Sequence, residues 1–312
     1  MTPRRDVVPR VVRVLAPNPD VYTLEGTNTW VIGERPSVVI DPGPDDPGHL
    51  NRVQEEGGSV AAIFVTHGHP DHAPGAARLS ESTLAPVYSR EPLAGDRVRS
   101  LNDGDQFVFG ETRVAAVHTP GHTPDHFVFL LPETGALFTG DMVLGRGTSV
   151  IDPPEGDLAL YLKSLARMQA LKPRVIYPGH GPVVFDAKAK LAEYVAHRAE
   201  RDEQILAAIA EGSSTIEELV EVIYHDYPAE VRPLAARSVL AHLDKLTAED
   251  RVEHKRRRAG GASAASEDDE RYSIVIPRYC DRCGRRVRGK ATLCGRCSLA
   301  VLQEGPSSRP SS

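Results

Sequence analysis

Thr66-His67-Gly68-His69-Pro70-Asp71-His72 is the stretch on which the reading of this chain turns. It follows Ala61–Val65, a short apolar run that reads as a buried strand. Four metal-ligand side chains within six residues thus stand just past the carboxyl end of a strand, where an α/β sheet places its site. His67 and His69 are two apart, so an extended backbone turns both imidazoles the same way. Asp71 and His72 come next, at the expected start of a helix, angled to a second point. The spacing predicts two adjacent metal ions rather than one.

Three downstream elements also follow strands: Thr119-Pro120-Gly121-His122-Thr123, Thr139-Gly140-Asp141 and Tyr177-Pro178-Gly179-His180-Gly181. The whole set holds five histidines and two aspartates, the donors that hydrolytic Zn, Fe or Mn sites use. A lone Pro-Gly-His reads as a turn; this ordered set does not. It resembles the signature of the metallo-β-lactamase superfamily, His-x-His-x-Asp-His followed by His, Asp and His, over roughly residues 11–186.

The resemblance implies an α/β fold, an αββα sandwich with a dinuclear site at one edge. It implies that His67, His69 and His122 bind one metal ion, that Asp71, His72 and His180 bind a second, and that Asp141 bridges them. The expected cofactors are two divalent ions, Zn(II) by preference. Asp rather than Cys at position 141 resembles hydrolases of phosphoesters and thioesters more than true lactamases. Two ions about 3.5–4 Å apart would share a nucleophilic hydroxide. Asp71 is the expected catalytic residue, binding metal and orienting that nucleophile. His118 and His126 flank the third ligand and are expected to support it rather than bind metal. Arg146, Thr148 and Ser149 follow Asp141 on a Gly-rich loop that either holds substrate oxygens or is plain surface.

Around these motifs, strands are expected at Val11–Leu15, Thr29–Ile32, Val38–Ile40, Gln106–Phe109, Thr112–Val117, Phe127–Leu131, Ala136–Phe138 and Arg174–Tyr177. Helices are expected at Pro47–Glu56 and Leu158–Ala170. Residues 1–186 are thus read as the hydrolase domain.

Residues 187–277 change character. Ala187–Ala210 has helical periodicity, and Thr215 with Glu218 forms a capping box that starts a helix over Ile216–Tyr224. A third helix is expected over Val231–Leu246, then short β runs at Arg251–Glu253 and Ser273–Ile276. Three helices and a hairpin give the order of a winged helix. Its expected wing tip, 255–270, is low in complexity and expected to be mobile. Residues 278–300 carry Cys280, Cys283, Cys294 and Cys297, two Cys-x-x-Cys pairs ten residues apart. Four thiolates in that pattern predict one structural Zn(II) in a small zinc-ribbon-like module. Residues 301–312 read as a disordered tail.

Thr23–Trp30, Ile176–Val183 and the helix bearing His197-Arg198 and Gln204-Ile205-Leu206 resemble the beta-lactamase-like protein 2 group. That resemblance extends to about Arg251 and implies a metal-dependent endoribonuclease acting on single-stranded RNA. A thioester hydrolase of the glyoxalase II type is the alternative, with the same ligands and an all-helical C-terminal domain. A nucleic-acid-binding regulator with secondary hydrolase activity is the alternative of another class.

Charge sharpens the RNA reading. The 312 residues carry a net charge of −6, yet residues 250–300 hold thirteen Lys and Arg against seven Asp and Glu. An acidic body with a basic end suits a polyanionic partner at that end. Lys255, Arg256, Arg257 and Arg258 are the candidate RNA contacts, and a protein partner for the winged helix or ribbon is the competing use. Apolar runs are strand-sized and the Met1–Arg5 start lacks an apolar core, so a cytoplasmic protein without membrane contact is expected.

Overall fold

The computed structural model describes residues 9–93, 95–228, 232–256, 270–275 and the short segments 278–279 and 286–287. β1 (Val11–Leu15) is a partly covered edge strand, whereas β2 (Asn28–Ile32) and β3 (Ser37–Ile40) are buried throughout. With β4 (Val60–Phe64), β5 (Val87–Ser89) and β6 (Val98–Ser100) they form one sheet in sequential order. Its strands pair in parallel from β3 onward, so each connection must cross over. α1 (Pro47–Gly57) and α2 (Gly75–Thr83) make the first two crossings. Leu50, Val53 and Leu79 from these helices pack on Val31, Val39 and Ile63, covering the outer face.

β7 (Gln106–Phe109), β8 (Thr112–His118), β9 (Phe127–Leu131), β10 (Ala136–Gly140) and β11 (Val175–Pro178) form the second sheet, ordered β11-β10-β9-β8-β7. α3 (Leu158–Ala170) crosses between the parallel pair β10 and β11. Tyr161, Leu165 and Met168 of α3, and Leu191 and Tyr194 of α4 (Ala187–Ala210), cover its outer face. The inner faces of the two sheets meet through Trp30, Phe64, Phe127, Phe129 and Phe138. Helix, sheet, sheet, helix is the αββα sandwich.

Two departures from the sequence reading lie next to the ligand stretch. Asp71 and His72 sit in a turn before α2, not at a helix start. α2, β5 and β6 themselves have no strong sequence signal: α2 offers only Ala76 and Leu79 as buried apolar side chains, and β6 is largely exposed.

The second half of α4 joins α5 (Ile216–Ile223), α6 (Arg232–Ala248) and the hairpin β12 (Val252–Arg256)–β13 (Glu270–Ile274). Ile205, Leu219, Val239, Leu243, Val252 and Tyr272 form its core, and the whole is a winged helix. Thr215 and Glu218 make the predicted capping box. α4 is thus shared, its start packed on the sandwich and its end in the winged helix. Among the described residues no helix is long and apolar enough to cross a membrane. Arg257 and Arg258, Cys280, Cys283, Cys294 and Cys297, and the tail 301–312 lie outside the described residues.

Asp202 clamps α4 to α6. Its buried carboxylate accepts from His242 Nδ1 at 2.6 Å and Lys245 Nζ at 2.7 Å. Burial disfavours its charge, but His242 and Lys245 outweigh burial and lower its pKa. Asp202→Ala is expected to destabilise the fold by about 2–3 kcal/mol at neutral pH, less than for a fully orphaned ion, because Lys245 keeps Glu249 at 2.9 Å. The folded pKa lies below the unfolded one, so this stabilisation is present above about pH 4 and is lost as pH falls through the folded value. Urea unfolding of both proteins should show the gap narrowing in acid; a gap independent of pH would contradict the charge assignment.

Candidate metal centre

Strand ends from both sheets meet at one edge of the sandwich. β4 leads into His67, β8 into the His122 loop, β10 into Asp141 and β11 into His180. Backbone bonds tie the sheets there: Asn28 N donates to Gly179 O at 2.7 Å, and Phe127 N to Thr66 O at 2.8 Å. The seven predicted ligands fall into two groups, His67, His69, His122 and Asp141, and Asp71, His72 and His180. Asp141 lies between them, Oδ2 3.7 Å from His122 Nε2 and Oδ1 3.3 Å from His180 Nε2.

The outward nitrogens reveal what the inward ones are for. His72 Nδ1 donates to Asp41 Oδ2 at 2.9 Å, and His122 Nδ1 to the Val150 carbonyl at 2.8 Å. His180 Nδ1 faces the Gly26 carbonyl at 3.3 Å. Thr66 Oγ1 spends its proton on Asp41 Oδ2, so it accepts from His67 Nδ1 at 2.9 Å. Each of these rings thereby turns its Nδ1–H outward and its Nε2 inward. His72 Nε2 and His180 Nε2 stand 3.2 Å apart, and His122 Nε2 stands 3.2 Å from His69 Nδ1. His67 Nε2 and Asp141 Oδ1 are buried without a hydrogen-bond partner. Buried imidazole nitrogens and carboxylate oxygens that converge on one point suit cations.

Electrostatics agree. Burial would depress His72, but Asp71, Asp141 and Asp41 outweigh it and hold its pKa well above the ordinary imidazole range. Burial also opposes the charge of His180, yet Asp141 and Asp71 push it up to about 9. His67 goes the other way, lowered by burial and then by the neighbouring rings of His72, His126 and His122. Burial opposes the charge of Asp71, and His72 and His180 reverse that, holding its carboxyl well below the usual range. A pocket that favours positive charge between carboxylates favours a divalent cation there. It is also cut to size. A Cβ on Gly179 would lie 2.7 Å from both Asp141 Oδ1 and His72 Cε1.

The flanking residues sort themselves. His126 Nε2 accepts the Asp141 backbone N–H at 3.2 Å, and His118 Nε2 donates to the Pro124 carbonyl at 2.9 Å. Ser149 is buried with its hydroxyl on the Asp141 carbonyl at 2.5 Å, so it does not face a substrate. Arg146 pairs with Glu25 at 2.7 Å on the surface. Lys255 is exposed on β12, 3.4 Å from Glu253.

Asp41 is the participant that sequence reasoning missed. Asp41-Pro42-Gly43 reads as a turn after β3, and its position after a strand was the available signal. The carbonyls of Val150 and Gly26 left no sequence signal, since any residue supplies one.

A family model described as the metallo-beta-lactamase superfamily matches residues 22–180. A second, the beta-lactamase associated winged helix domain, matches residues 215–260. The chain is 36% identical over 265 residues to a beta-lactamase-like protein 2 homolog of Drosophila melanogaster, across 78% of this chain and 89% of that one. It is 35% identical to an atrochrysone carboxyl ACP thioesterase of Aspergillus chevalieri, across 78% of this chain and 83% of that one. Among solved structures, a beta-lactamase domain protein from Burkholderia ambifaria shares the fold at a TM-score of 0.72. It is 22% identical and covers 86% of this chain and 93% of its own.

Proposed function

The chain belongs to the metallo-β-lactamase superfamily, and from that premise we propose a metal-dependent endoribonuclease that hydrolyses phosphodiester bonds of single-stranded RNA. The observation that carries the hydrolytic reading is the pair of converging ligand groups at an open sheet edge. His67, His69 and His122 would hold one divalent ion, Asp71, His72 and His180 the other, with Asp141 shared. Bound there, the ions would lower the pKa of water and neutralise charge developing on the attacked group. Asp71 is ionised and partly exposed, so its carboxylate orients the attacking water by accepting a hydrogen bond. His67, His72 and His180 are buried, which keeps solvent from competing for their inward nitrogens. The winged helix beside the hydrolase domain supports a nucleic-acid substrate. Within it Lys255, with Arg256, Arg257 and Arg258 beyond, is the proposed phosphate contact, and a structural zinc at the four cysteines remains part of the proposal.

A thioester substrate is the second reading, favoured by the similarity to an acyl-carrier-protein thioesterase. Labelled single-stranded RNA and S-lactoylglutathione, each incubated with metal-loaded protein, separate the two. RNA cleavage that vanishes with chelator is the expected result. Thioester turnover alone would replace the proposal, and RNA binding without turnover would favour a regulator. Replacing Lys255 through Arg258 by alanine should weaken RNA binding and flatten its salt dependence by about 0.7 per lost phosphate contact. The rate on a small chromogenic phosphodiester should not change.

A further inference from the structure

His197-Arg198 stands out in the sequence, yet neither residue belongs to a ligand group. Arg198 runs from α4 into the sandwich and is 3% exposed. Its Nη2 donates to the Ser149 carbonyl at 2.5 Å, and its guanidinium lies over the Tyr161 ring, 5.3 Å from the centroid. The next residue, Val150, is the one whose carbonyl accepts from His122 Nδ1. The Ser149 hydroxyl in turn donates to the Asp141 carbonyl. Two adjacent loop residues therefore touch two candidate ligands, and Arg198 holds them from outside.

The rest of the loop is fastened upstream. Tyr194 Oη accepts from Leu144 N at 2.8 Å and donates to Gly147 O at 3.1 Å, and Tyr161 Oη donates to Met142 O at 2.6 Å. None of these bonds reaches Val150. A charge-assisted bond from a buried guanidinium is the strong fastening at that point.

We propose that Arg198 is a positioning residue for the metal centre. It fixes Ser149 and Val150, and through the Val150 carbonyl it sets the tautomer and ring orientation of His122. The helix shared with the winged helix thereby orders one of the two ligand groups. The inference rests on the reading of His122 as a metal ligand, but its hydrogen bond can be examined without metal.

Arg198→Met keeps the buried stem and removes charge and donors; Arg198→Lys restores the charge with a single compact donor group. In metal-free, histidine-labelled protein, the Nδ1–H resonance of His122 is expected to shift and exchange faster in Arg198→Met, while that of His72 stays put. In Zn(II)-loaded protein, chelator competition should show one ion weakened about 10- to 100-fold, as loss of a ligand's orienting partner does, and the other little changed. Arg198→Lys should fall between, and it is read by the same two measurements if Arg198→Met does not fold. An unmoved His122 resonance with unchanged affinities overturns the proposal. So does uniform weakening of both ions together with movement of every histidine resonance, which is general loosening. Wild-type protein that binds no ion sinks the metal reading instead, and the His122 resonance then decides the positioning claim alone.

Discussion

Asp71→Asn is expected to lower turnover by roughly 10³-fold or more, beyond the 10- to 100-fold typical of a residue that only orients a ligand. The Asp71 carboxylate stands 3.0 Å from His180 Nε2 and 3.1 Å from His72 Nε2. Asn has the same shape. What it lacks is the charge that makes this corner favourable for a cation, and a second oxygen to accept from water. The fold should survive, because the Asp71 side chain is 23% exposed and sits in a turn outside the sheet core. The metal-free variant should still unfold in one cooperative transition, at a somewhat lower temperature because the pairing of Asp71 with His72 and His180 is lost, while metal content and rate fall far more. A variant with near-normal rate on a small phosphodiester would remove Asp71 from its assigned role.

That Asp71 could be singled out at all reflects how the site is written in the chain. All seven candidate ligands occupy four short segments, each following a strand that periodicity or composition reveals. The strands are legible because β3, β4 and β9 are buried and rich in Val, Ile and Phe. β5 and β6 are three residues each and depend on their neighbours for pairing, so local pattern says little about them. The supporting contacts are less legible still. Arg198 and the Ser149 carbonyl are 49 residues apart, and Asp41 and His72 are 31 apart. Their pairing exists only once the sheets have brought separate loops to one edge.

Asp41→Asn shows what such a contact is worth, and it is expected to weaken both ions where Arg198→Met weakens one. Asp41 receives three donors: Thr66 N on Oδ1, and Thr66 Oγ1 and His72 Nδ1 on Oδ2. A carboxylate can accept all three, but an amide has one acceptor and one donor end. If Asn keeps its oxygen toward Thr66 N, its NH2 faces two hydrogens. His72 must then turn or lose its outward proton, and Thr66 can no longer both give its proton to residue 41 and accept from His67. The disturbance reaches His67 in one ligand group and His72 in the other. Loss of about 10- to 100-fold in affinity is expected for each ion, so at limiting metal the doubly loaded protein should become scarce. Apo stability should fall by about 1–3 kcal/mol for the buried groups left unpaired. Chelator competition checks the affinities and urea unfolding checks the stability. Loss confined to the ion of the His72 group would show that the Thr66 relay to His67 carries nothing, and unchanged affinity for both would show that Asp41 supports only the fold.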